Sequence, residues 1–88
     1  MRSLSAVWQP VLVATRRINF SNAGGTLVAR IEEGGRIGVV GVGSGGWVQI
    51  QLDNDERELW VNLEQNASSY TLLGALNGAP NVETPNFP

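Results

Sequence analysis

The chain has 88 residues, 42% of them hydrophobic, and a formal net charge of −2. That is enough for one domain with a thin core, since a chain this small buries only about 60% of its unfolded surface. It has no His and no Cys, and all six basic residues are Arg, which removes ordinary zinc ligands, disulfide staples and any basic stripe suited to a phosphate backbone.

The apolar start, Leu4 to Ala14, is broken by Gln9 and Pro10. It runs into Thr15-Arg16-Arg17 without a small-residue cleavage site, so neither a signal peptide nor a transmembrane span is expected. Val11 to Arg17 reads as a strand. Asn19 to Gly25 reads as a loop with Asn-Ala-Gly-Gly at its tip. Thr26 to Glu32 alternates, with Leu27, Ala29 and Ile31 expected inward. Gly34-Gly35 is a turn, and the Val/Ile-rich stretch Arg36 to Val42 is a third strand.

Gly41 to Gly46 then spells G-x-G-x-x-G. A dinucleotide loop of that pattern must open a helix, because the pyrophosphate sits on the helix N-terminus. The next six residues are Trp-Val-Gln-Ile-Gln-Leu, a strict period-2 alternation, which is a strand. Gly43, Gly45 and Gly46 are expected to supply the backbone freedom of a tight turn instead.

Trp47 to Leu52 is the fourth strand, Asp53 to Glu56 a polar hairpin loop and Arg57 to Leu63 the fifth strand. Glu64 to Ser68 fits one short helical turn, Tyr70 to Leu76 a last strand, and Asn77-Gly78 a turn. The expected fold is all-β: a small antiparallel barrel of five to six short strands over 11–76. Residues 1–10 form an N-terminal arm. Residues 77–88 form a C-terminal arm that carries three of the four prolines and cannot join a central strand.

Gly34, the Val/Ile-rich strand, Ser44-Gly45-Gly46-Trp47, Val48-Gln49-Ile50 and Trp60-Val61-Asn62 together resemble a bacterial SH3 (SH3b-like) domain, over roughly Val11 to Tyr70. Ile18-Asn19-Phe20-Ser21 resembles the lead-in to the long first loop of such domains. Leu59 stands where they usually have Gly before the second Trp, and the usual Gly-Pro and Tyr of the long loop are missing. The resemblance implies an SH3-like barrel whose usual work is binding peptides, peptidoglycan or other subunits.

The loop Asp53 to Glu56 pairs Ile50 with Leu59 and Val48 with Val61, placing Val48, Ile50, Leu52, Leu59 and Val61 on one apolar face. Trp47, Gln49, Gln51, Glu58, Trp60 and Asn62 share the other face, where the two tryptophans are diagonal neighbours. This face is either an aromatic contact surface or is covered by Trp8, the first ten residues or the C-terminal tail of the same chain.

Catalysis has little support. Without His, Cys or Lys, Ser44 has no base, and the carboxylates sit on alternate strand faces or a solvated hairpin tip. Asp53-Asn54-Asp55 lacks the Gly and the later bidentate Glu of a calcium loop. No metal and no cofactor are expected.

The expected function is that of a non-enzymatic structural or adaptor subunit whose arms lie on neighbouring subunits, with a phage virion or tail as the setting by analogy. Its expected partners are other protein subunits, further copies of itself included, and neither nucleic acid nor membrane. The expected location is a virion or the cytoplasm. Trp8, Trp47, Trp60, Val82 and Phe87 are the expected partner-binding residues. The alternative is a peptidoglycan- or peptide-binding SH3b module.

Overall fold

Short alternating segments separated by Gly, Asn and Asp turns do become strands. The computed structural model describes residues 9–87. These hold β1 (Val11–Ala14), β2 (Ile18–Ser21), β3 (Leu27–Ile31), β4 (Arg36–Val42), β5 (Trp47–Gln51), β6 (Leu59–Asn62) and β7 (Tyr70–Leu73), followed by a 3₁₀ turn at Leu76–Gly78. All seven strands pair antiparallel in one sheet, in the order β3-β2-β6-β5-β4-β1-β7.

The strand count corrects the expected five to six, and β3 and β7 remain edges, so the ladder does not close. The additional strand is β2, which lies where a loop from Asn19 was expected. The last strand stops at Leu73 rather than Leu76, and β6 begins at Leu59 rather than Arg57. Glu64 to Ser68 makes successive turns rather than a helix.

One core holds these strands together. Leu12, Ile18, Phe20, Ile37, Val39, Val48, Ile50, Leu59 and Val61 are all buried in it. A flat sheet cannot bring residues from β1, β2, β4, β5 and β6 into one cluster, so the sheet curls around them. A side chain also ties the β5–β6 hairpin to β3 across β2. The Arg57 guanidinium donates to the Val28 carbonyl of β3 at 3.0 Å while paired with Asp55 at 2.6 Å. That pairing draws the β5–β6 hairpin tip towards the β3 edge.

The β5–β6 register is the expected one, with Val48 opposite Val61 and Ile50 opposite Leu59. Two irregularities matter for the outer face. Between β2 and β3, Phe20 pairs with Ala29 but Ser21 pairs with Leu27, so Val28 is an extra residue. Ala29 and Ile31 pack against the core as expected, but the bulge shifts the alternation ahead of them and Leu27 is 65% exposed instead of inward. Between β4 and β5, Val39 pairs with Ile50 but Gly41 pairs with Gln49, so Val40 is extra. Ile37, Val39 and Val42 consequently face the core, and Gly41 faces out beside Gln49 and Trp60.

Candidate functional site

The outer face of β4, β5 and β6 is built from the G-x-G stretch upward. Gly45 and Gly46 have φ of +64° and +88° and make the β4–β5 turn, which L side chains other than Gly adopt poorly. Gly43 was expected to share in that freedom, but it is not among the positive-φ glycines. It flanks the turn, its N–H donating to the Trp47 carbonyl at 2.8 Å. A strand follows this turn, and no helix opens at Gly46.

Asn62, opposite Trp47, ties this turn to the next one. Its amide donates to the Gly45 carbonyl at 3.1 Å, and its Oδ1 accepts the Gln65 N–H at 3.0 Å. The Leu63 N–H adds a bond to the Gly46 carbonyl at 2.8 Å. These bonds fix the backbone on either side of Trp47.

Gly41 and Gly43 leave a bare strip on this face, and the C-terminal tail lies along it. The Val42 N–H donates to the Pro80 carbonyl at 2.8 Å, and the Val82 N–H donates back to the Val42 carbonyl at 2.9 Å. Asn81 and Val42 form a single parallel bridge. The tail thus joins β4 by one bridge, beyond the end of β1. A Cβ on Gly41 would lie 2.6 Å from Val82 Cγ1, and one on Gly43 would strike Thr84. Thr84 Oγ1 accepts the Ser44 N–H at 2.7 Å.

The tail ends on the tryptophans. Phe87 stacks on Trp47 with ring centroids 4.0 Å apart and meets Trp60 edge-on at 6.1 Å. Trp60 is only 2% exposed, and its indole N–H donates to Glu58 at 2.8 Å. The diagonal placement of the two indoles stands as expected, with Phe87 against both. Val82 and Phe87 therefore rest on their own chain, and Trp8 lies outside the described residues.

An open groove of about 430 Å³ runs beside Trp60 and Phe87. Arg17, Asn19, Ser21, Gln65 and Asn66 line it with polar groups. Ser21 is 6% exposed, and its buried hydroxyl has no hydrogen-bond partner among the described residues. Trp47 also walls a second hollow of about 380 Å³ with Val42, Leu63, Tyr70 and Leu76.

Sequence reasoning missed the groove residues and the landing strip. The signal for Asn62 was there, because a residue opposite Trp47 shares its face. Gly41 and Ser21 were hidden, because each lies beside a bulge.

The carboxylates do not gather. Hydrogen bonds from Arg57 hold the Asp55 carboxyl down at about 2, below the usual 3.8. Among the described residues no group of three or more His, Cys, Asp or Glu converges as a metal site. No helix among them is long and apolar enough to cross a membrane. Comparison with protein-family models, curated proteins and solved structures finds no match.

Proposed function

We propose that this chain is a non-enzymatic structural or adaptor subunit, an SH3-like barrel that docks into a larger protein assembly through its aromatic face. The observation that carries the reading is the stack of Phe87 on Trp47 at the rim of an open groove. Trp47 and Phe87 stay half-buried at that rim above the buried Trp60, and part-exposed aromatic anchors are what protein interfaces use. A seven-stranded curled sheet with one core supplies the rigid support such a face needs. The order of its glycines and tryptophans, which resembles SH3b domains, supports the barrel description. A phage virion or tail is the setting that suits a small barrel with a tail of this kind, by analogy.

The test is the size of the chain as it occurs in its source. Isolated under native conditions, it should run in a complex well above its 9.4 kDa mass. Trp47→Ala should return it to the monomer position. A native chain that runs as a monomer, or a Trp47→Ala chain that stays in the complex, contradicts the reading.

A second reading, a peptide- or peptidoglycan-binding module, is favoured by the groove itself. Its polar lining of Arg17, Asn19, Gln65 and Asn66 offers hydrogen bonds next to an aromatic wall. Titration with soluble cell-wall fragments and peptides tests it. Perturbed NMR signals at Asn19, Ser21 and Asn66 support it, and unchanged signals there overturn it.

A further inference from the structure

The tail meets the sheet as a ligand meets a track. Val82 and Thr84, two residues apart, sit over Gly41 and Gly43, also two residues apart. The two segments run parallel at the Asn81–Val42 bridge, and the equal two-residue spacing then carries each tail side chain over one glycine. Phe87 then supplies the aromatic end on Trp47 and Trp60. Ala79 is the last core residue, and every tail contact after it lies on the outer surface. Beyond Thr84 the Phe87 N–H donates within the tail, to the Pro85 carbonyl at 2.9 Å. Pro80 and Pro85 restrict the backbone of the segment, which favours an extended form when it is released.

We propose that the track of Gly41, Gly43, Trp47 and Trp60 also accepts the C-terminal tail of a second copy of this chain, so that copies exchange tails. The occupant is named by the fit: the segment that fills the track is present in every copy. The contacts are the same whether the tail comes from its own chain or from a neighbour. Exchange therefore forfeits none of them, only the advantage of tethering. A short tether keeps the chain's own tail at an effective concentration in the millimolar range. Dilute chains hold their own tails, and closely packed copies trade them. The exchanged piece begins at Pro80, just past Ala79, so the core stays with its own chain. The proposal rests on the outer face being a docking surface.

Two full-length variants test it. Gly43→Val blocks the track and leaves the tail intact. Thr84→Ala combined with Phe87→Ala strips the tail and leaves the track intact. Neither variant alone should associate. An equimolar mixture should form a complex of two chains in native mass measurement, and the Trp47 emission of the tail-stripped partner should change. Excess peptide spanning residues 80–87 should dissolve the complex. If circular dichroism shows that Gly43→Val is unfolded, Trp47→Ala takes its place as the track-blocked chain. A mixture that stays at monomer mass up to millimolar concentration overturns tail exchange. So does a complex that the peptide leaves untouched. Either result is independent of the native-source measurement, which tests docking onto other proteins.

Discussion

Phe87 lies against Trp47 at 4.0 Å between ring centroids, with the planes 23° apart. An aromatic pair of this kind contributes about 0.5–1.5 kcal/mol beyond its buried area. Phe87→Ala should lower stability by at least that much in a denaturant melt and shift tryptophan emission to longer wavelength. Unchanged emission would mean that the ring does not cover Trp47 in solution.

Gly41 tests the landing strip rather than the ring. A Cβ there would lie 2.6 Å from Val82 Cγ1, so Gly41→Ala should lift the tail while the sheet persists. The amide of Val82, bonded to the Val42 carbonyl, should then exchange rapidly with solvent. Val48 and Ile50 amides should stay slow. Continued protection of Val82 would show that the tail accommodates the methyl group.

The core prediction concerns Ile50, which is 1% exposed opposite Leu59. Ile50→Ala should cost about 2–5 kcal/mol, as buried aliphatic truncations do. A melt showing less than about 0.5 kcal/mol, the range of surface changes, would mean the faces are reversed.

The hairpin tip should respond to acid. Asp55 titrates near 2 instead of 3.8 because Arg57 donates to its charged form. A depressed carboxyl stabilises the fold above its unfolded value, and that contribution disappears as pH falls from about 3.8 towards about 2. An NMR titration of the Asp55 carboxyl should find the low midpoint, and Arg57→Ala should restore the ordinary one. A midpoint at 3.8 with Arg57 present would show that the pair is open in solution.

The hairpin from Trp47 to Asn62 was legible because nothing interrupts its period of two. Four polar loop residues set its register, and both faces followed. Strand β2 was not legible, since its four residues Ile18–Ser21 run straight into Asn22-Ala23-Gly24-Gly25, which carries the chemistry of a turn. Alternation places Ala29 and Ile31 correctly but not Leu27, because it cannot see that the extra Val28 shifts the register ahead of them. The tail was hardest. Its composition argues against a strand, and it does make only one bridge. Its place depends on two distant glycines whose outward orientation is itself set by the bulge at Val40. Nothing local in the tail encodes that.

The role assigned to the aromatic face is tested most directly by amide hydrogen exchange of the chain free and within its native complex. Added protection should fall on Trp47–Gln51, Leu59–Asn62 and residues 81–87, the segments that carry Trp47, Trp60 and the tail. Protection confined to the opposite end, at Arg36, Gly38 and the hairpin tip Asp53 to Arg57, would contradict docking through this face.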